Sequence, residues 1–358
     1  MKSTRSCFAF CIMIAGLATN ASSQDEFAVS KTTIGGYGEL HYNRAQQEEA
    51  QASKMLDFHR FVIFLSHNWN EKWSFKSETE LEHNFVKSGQ GELELEQAYI
   101  NYQKNQGFGF QAGVILASTG LLNEYHEPTT FLSVERPDYA KYIIPTTWFG
   151  NGISAYGLKN GFDYKLTVME GLDGARFSAS SGIRNGRQKG YKANADKLLY
   201  NARLAYAGAP GLRIGASFST NSATVNDTTE NRMTLLELHA KLERRNLFAQ
   251  FEIGSISFGL GEVERAFGYY LDLGYNVGAL FETSTKIIPW ARLGNYNTAS
   301  RTKSGGDSEE AYQFSKMMCG IAVKPLPEIV FKVDYGIKKN KLSNVKTKLF
   351  NIGAGYMF

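Results

Sequence analysis

Cysteine is nearly missing from this 358-residue sequence. Cys7 and Cys11 both lie in the first apolar run, so beyond it only Cys319 is left. That excludes a disulfide framework and any cysteine-built metal site. Proline is scarce too, 7 residues against 35 glycines, and with 43% hydrophobic and 13% aromatic residues the composition excludes a disordered or collagen-like chain. Charge of one sign is also lacking. The balance of 39 Lys+Arg against 35 Asp+Glu leaves +4, too even for an electrostatic nucleic-acid binder, so no nucleic acid is expected as a partner. A mean hydropathy of −0.31, with no apolar run of ~18 residues, excludes a helical membrane protein. Neither Gly-x-Ser-x-Gly nor His-Glu-x-x-His occurs, and His126-Glu127 beside Pro128 has no metal-motif spacing. No catalytic residue, metal ligand or cofactor is therefore assigned.

What is present begins with an export leader. Lys2 and Arg5 precede the apolar run from Cys7 to Leu17, and small residues follow from Ala18 to Ser23. This reads as a signal peptide over 1–23, cleaved after Ala21 or Ser23, because 11 apolar residues are too few to span a bilayer as a helix. The expected domain layout is 1–23 signal peptide and 24–358 transmembrane β-barrel. An exported chain without disulfides needs another source of stability, and closing a sheet on itself supplies one.

Period-2 alternation recurs along the rest. Ile329-Val330-Phe331-Lys332-Val333-Asp334-Tyr335 separates apolar residues from Lys332 and Asp334, and Leu236-Glu237-Leu238-His239-Ala240-Lys241-Leu242-Glu243 does the same. Sixteen strands are expected, at 32–45, 54–68, 73–85, 92–104, 108–116, 151–159, 162–170, 198–207, 212–220, 232–244, 247–257, 266–275, 281–294, 312–323, 329–337 and 346–358. Tight turns such as Asn160-Gly161 and Arg245-Asn246 alternate with longer connections at 117–150, 171–197, 221–231 and 295–311. The expected fold is thus all-β, a 16-stranded antiparallel transmembrane barrel with short periplasmic turns, long external loops and an inward-folded third loop. The last residues, with Asn351, Gly353, Tyr356 and Phe358 at their positions, resemble the terminal-strand signature of outer-membrane barrels. That resemblance implies recognition by the barrel-assembly machinery.

A barrel this wide is lined by the polar face of its strands. Lys76, Glu78, Glu80 and Glu82 share one face of the third strand, and Glu94 and Glu96 join them from the fourth. Segment 73–104 carries six Glu and three Lys, whereas 171–197 carries six bases against Asp173 and Asp196. Further lumen bases are expected at Arg60, Arg203, Arg213, Lys241, Lys286 and Arg292. Two readings stay open. The split sets a transverse field across a channel, or the glutamates pair with Arg and Lys to anchor a loop. Arg184, Arg187 and Lys189 read as a solvated basic loop suited to lipopolysaccharide phosphates. Segment 117–150 holds three of the seven prolines and more apolar residues than an exposed loop needs, so it packs on something. As the third long loop it is expected to form the constriction, with Glu124, His126, Glu127, Glu135 and Arg136 at the narrowest point.

Several stretches are specific. Gly35-Gly36-Tyr37-Gly38-Glu39-Leu40-His41-Tyr42-Asn43, Phe58-His59-Arg60-Phe61-Val62, Glu78-x-Glu80-x-Glu82-His83 and Glu94-x-Glu96-Gln97-Ala98-Tyr99 lie in the first four strands. Asn123-Glu124-x-His126-Glu127-Pro128, Glu135-Arg136-Pro137, Ile144-Pro145-Thr146-Thr147-Trp148 and Arg187-Gln188-Lys189 follow. Together they resemble the Gram-negative outer-membrane porins grouped with the phosphate-selective porins O and P. The resemblance implies a 16-stranded barrel, a homotrimer, and passive passage of small solutes through the outer membrane, among its lipid and lipopolysaccharide. It does not carry phosphate selectivity, because a Glu ladder stands where phosphate channels of that group use Lys and Arg. The alternatives are an outer-membrane barrel enzyme, which would need a nucleophile or activated water with His and carboxylate in reach, and a structural or adhesin barrel without an open pore. An energy-coupled receptor is set aside because too few residues precede the first strand to form a plug.

Overall fold

The computed structural model describes residues 31–88 and 90–358, so the expected leader lies outside the described residues. Sixteen strands follow one another: β1 (Thr32–Gln47), β2 (Ser53–Asn68), β3 (Trp73–Glu82), β4 (Leu93–Asn105), β5 (Phe108–Leu116), β6 (Phe149–Lys159), β7 (Phe162–Met169) and β8 (Leu199–Tyr206). The second half holds β9 (Leu212–Asn226), β10 (Thr229–Arg244), β11 (Leu247–Phe258), β12 (Val263–Tyr275), β13 (Lys286–Thr302), β14 (Gln313–Leu326), β15 (Ile329–Asn340) and β16 (Lys346–Met357). Each pairs antiparallel with the next, and β16 pairs with β1 from Tyr37↔Met357 to Gln47↔Thr347, closing the barrel. Phe358 seals the seam, exchanging both backbone bonds with Gly36 at 3.0 Å. Its ring stacks on Phe61 at 6.1 Å.

The alternation fixes which face is which. On β15, Val330, Lys332 and Asp334 are buried inside while Phe331, Val333 and Tyr335 are exposed outside. Leu166, Leu204, Leu236, Leu273, Leu293 and Ile352 continue this outer apolar band. At the end of the barrel carrying the turns, aromatics pair across strands, exposed Trp73 with half-buried Tyr102 and exposed Phe162 with Tyr206. An apolar band rimmed by aromatics is the outer surface of a barrel that meets lipid.

The connections depart from the expected long/short rhythm. Segment 221–231 is not a loop: β9 and β10 run on as a ladder, leaving only Asp227 and Thr228 between them. The first part of 295–311 is likewise strand, since β13 continues to Thr302. The turn expected at Asn276–Leu280 extends to Thr285 and includes a 3-10 helix at Val277–Phe281. Long connections are confined to 117–148 and 170–198, called the third and fourth connections below.

Two β-bulges bear on the interior. Glu39 pairs with Arg60 and Leu40 with Phe58, which leaves His59 unpaired. Glu78 pairs with Gln97 and Thr79 with Leu95, which leaves Glu96 unpaired. An extra residue breaks the strict alternation, so His59 and Arg60 both turn inward, as do Glu96 and Gln97.

Part of the interior is apolar rather than lined by polar side chains as expected. Leu199, Met233, Leu235, Ile256, Ala266 and Tyr270 face in from β8 to β12 and form one core with Leu122, Phe131, Tyr139, Ile143, Ile144 and Trp148 of the third connection. A second cluster sets Leu132 against Phe248, Ile288, Trp290, Met318, Ala322 and Val330. Each large side chain so buried is worth about 1.5–3 kcal/mol, enough to hold a loop inside a barrel.

Candidate functional site in the barrel interior

The third connection is drawn shut at its neck by Asn123. Its Nδ2 donates to Ala117 O at 2.7 Å and Trp148 O at 3.1 Å, and its Oδ1 accepts from Trp148 N at 2.7 Å. From there the segment crosses to the β8–β11 wall. Ser118 N donates to Asn201 Oδ1 at 3.1 Å, Gly120 N to Glu237 at 3.3 Å, and Leu121 N to Glu252 at 2.8 Å. Residue 120 must be glycine twice over. Its φ is +69°, and a Cβ would lie 2.5 Å from Glu252 Oε2.

The expected constriction residues follow, and Glu124, His126, Glu135 and Arg136 are engaged with the wall or with the loop itself. Glu124 lies 3.1 Å from Lys165 Nζ and 3.3 Å from Arg203 Nε. Burial works to raise its pKa, but Arg203 and Lys165 outweigh that and hold it down at about 2. His126 Nε2 sits 3.3 Å from Glu78 and 3.4 Å from Glu96. Burial disfavours its imidazolium, yet the two carboxylates raise its pKa to about 10. Glu127 is buried, and burial raises its pKa. Glu135 accepts from His41 at 2.9 Å and from Asn43 at 3.0 Å, and Arg136 donates to His126 O at 3.1 Å. Burial again opposes the charge on Glu135, but His41 holds its carboxyl low, at about 2.

The far side is tied as firmly. Lys324 and Lys332 donate to Thr129 O and Ser133 O at 2.6 and 2.8 Å, and Asp334 accepts from Val134 N at 2.7 Å. Asp138 lies 3.0 Å from both Lys316 and Lys338, which overcome burial and hold it below the usual carboxylate range.

The glutamate face is as the alternation placed it, but its charges are answered. Arg60 lies between Glu39 at 2.7 Å and Glu80 at 3.0 Å. Lys189 bonds Glu92 at 2.6 Å and also Glu94. Lys76 and Glu82 continue that face towards the two ends of β3. Arg203 and Arg213 share Asp163 at 3.1 and 2.7 Å, and Arg292 is fully buried in a two-point pair with Asp272. Lys241 and Lys286 stand near the turn end, 3.9 and 3.8 Å from Glu243. Of the two readings of the charge split, loop anchoring accounts for Glu78, Glu96, Glu124, Glu135, Lys165 and Arg203.

The basic stretch of the fourth connection is not a solvated loop. Arg184 donates to Thr146 O at 2.8 Å, and Arg187 to Pro145 O at 3.0 Å and to Thr147 O, so both spend their donors on carbonyls of the third connection. Burial and the nearby Arg136 push the Arg184 pKa down. Glu82, His83, Glu135 and Lys189 keep partial exposure towards the lumen.

Sequence reading gave no site role to Asn123, Asn201, Glu237, Glu252, Asp138, Lys316, Lys332, Asp334 and Asp272. The strand members among them lie on inward positions of the alternation and were legible as such. Asn123 and Asp138 had no periodic signal to mark them.

A closed 16-stranded barrel with an apolar outside, narrowed by an inward-folded, charge-tethered segment, defines a porin. More narrowly, this chain belongs to the family described as phosphate-selective porin O and P, which residues 34–257 match. An uncharacterized protein of Aquifex aeolicus (strain VF5) is 30% identical over 96% of this chain and 84% of its own length. Among solved structures, Salmonella typhi OmpF in complex with daunomycin superposes with a TM-score of 0.63 at 12% identity, over 92% of this chain and 98% of that one. OmpT of Vibrio cholerae, an outer membrane protein described in its trimer form, gives 0.59 at 12% identity over 92% and 100%.

Proposed function

We propose that this protein is a passive diffusion channel of a Gram-negative outer membrane, passing small, hydrophilic, charged solutes as a homotrimer. The observation that carries the reading is the third connection, which enters the lumen and is tied across it by ionised pairs. Glu82, Glu135, Arg136 and Arg184 would line the remaining passage, with both signs of charge facing a solute. Family membership favours a channel over a barrel enzyme, and the trimeric OmpT shares the fold. The terminal residues Tyr356 and Phe358 would be read by the barrel-assembly machinery before their rings settle over β1.

The test is single-channel current through purified protein in a planar bilayer, with the reversal potential under a KCl gradient. Steady open conductance in triplet steps is expected, and its absence would overturn the channel reading. Deleting 124–136 should enlarge the conductance; an unchanged value would remove the third connection from the constriction.

A further inference from the structure

We propose that Glu78, Glu96 and His126 bind one divalent transition-metal ion, with Zn2+ the best-fitting common ion, where the third connection meets the β3–β4 wall. The three ligands come from three separate segments, so no spacing along the chain could reveal them.

Distance is the first argument. His126 Nε2 is 3.3 Å from Glu78 Oε1 and 3.4 Å from Glu96 Oε2. Charge-assisted hydrogen bonds are shorter, about 2.7–2.9 Å. Two donor atoms each ~2.0–2.2 Å from a tetrahedral Zn2+ stand roughly 3.3–3.5 Å apart, which is the spacing seen.

Satisfaction is the second argument. His126 is 2% exposed and Glu96 1%, and among the described residues His126 Nε2 and Glu96 Oε2 meet only through their long ion-pair contact, with no well-aligned hydrogen bond to either. Buried polar atoms left in that state are costly, and a cation between them would satisfy both at once.

The outer shell agrees. His126 Nδ1 lies 3.3 Å from Asn123 O, so with Nδ1 as donor the Nε2 lone pair faces the carboxylates. A backbone carbonyl orienting the second ring nitrogen is the usual support of a metal-binding imidazole. Gln97, turned inward by the bulge, donates to the other oxygen of Glu78 at 2.5 Å. Arg60 is taken up by Glu39 and Glu80, which leaves Glu78 and Glu96 with His126 as their nearest cationic partner. A divalent ion on a neutral imidazole would cancel both carboxylate charges, whereas a proton cancels one.

The neighbouring cluster of Asp57, His59 and His83 fits less well. Arg60 Nη2 lies 2.9 Å from His59 Nε2 and can only donate, so the proton of that neutral ring sits on Nδ1, the atom that faces Asp57. The trio Glu80, Glu94 and Glu96 offers oxygen alone and lacks the imidazole that selects Zn2+.

The test uses folded full-length protein, stripped with EDTA, equilibrated with Zn2+ and dialysed, with bound metal measured by atomic emission. One Zn2+ per chain should be retained, lost in His126→Gln and Glu96→Gln, and kept in His83→Ala. Heat-modifiable gel mobility checks that each variant is folded. No retained Zn2+ in the parent protein, equal retention in His126→Gln, or loss in His83→Ala would overturn the assignment. Should the His126 and Glu96 variants fail to fold, X-ray absorption at the zinc edge of the parent protein decides. One imidazole with oxygen ligands is expected, and two or more imidazoles would overturn the site.

Discussion

Asn123→Ala tests whether the inward segment is held by its neck. The side chain is fully buried and makes three bonds. Two of its partners keep an alternative, because Thr119 N still reaches Ala117 O at 3.0 Å and Ala117 N still reaches Trp148 O at 2.9 Å. The Trp148 N–H keeps none among the bonds of the described residues. Orphaning one buried donor costs about 1–3 kcal/mol, and each bond lost to a carbonyl that retains a partner about 0.5–1.5 kcal/mol. A sum near 3 kcal/mol is on the order of a hundredfold in the open population of the segment, at ~1.4 kcal/mol per tenfold. The barrel ladders are untouched, so the variant should fold and insert. Amide exchange of residues 118–122 should accelerate on the order of a hundredfold, while the strands stay protected, and single-channel records should gain noise and mean conductance. Parent-like exchange in that stretch, with unchanged current, would refute the reasoning.

Gly355→Ala would place a Cβ 2.5 Å from Pro128 Cβ. Overpacking of this kind costs about 1–3 kcal/mol, and a lowered melting temperature with raised conductance is expected; no change in either would show that the segment shifts freely. Asp138 is held low by Lys316 and Lys338. Its contribution is therefore complete above the ordinary aspartate range of about 3.9 and is lost as pH falls through the lowered value. Acidification below about pH 4 should loosen the segment in the parent more than in Asp138→Asn, and identical pH profiles of current noise would count against it. Lys189→Ala releases Glu92 and Glu94 from their cation, so the reversal potential in a KCl gradient should move towards cation selectivity; an unmoved potential would mean that these carboxylates do not face the conducting path.

The strand count and order were legible because an apolar/polar alternation must repeat wherever one face meets lipid and the other does not. Strand ends were less so. The outer parts of β9 and β10 are written in Ser, Thr and Asn, Thr220-Asn221-Ser222 and Asn226 among them, and above an apolar band such residues resemble a loop. The 276–285 turn misled in the opposite direction, since the strand expected from residue 281 begins only at Lys286. Inside the barrel, period-2 reading put Glu78, Glu80 and Arg60 on the face that is buried inward, and it did not mark His59 and Gln97. Both follow from bulges, and nothing local in the sequence announces an unpaired residue. The partners of Arg184 and Arg187 were beyond reach for a different reason. They are backbone carbonyls, which every residue carries and no composition reveals.

The tethers of the third connection also set an order of events. Its anchors include Lys332 and Asp334 on β15, and Pro128 rests against Gly355 of β16. These are among the last strands of the chain to be made, while the segment they hold leaves the barrel after β5. Until the C-terminal strands are in place and β16 has met β1, these attachment points do not exist. A partly built barrel would carry this segment loose, with the β10–β12 apolar patch uncovered and the interior wide open. Narrowing is then a consequence of closure, and an assembly intermediate should leak more than the finished protein.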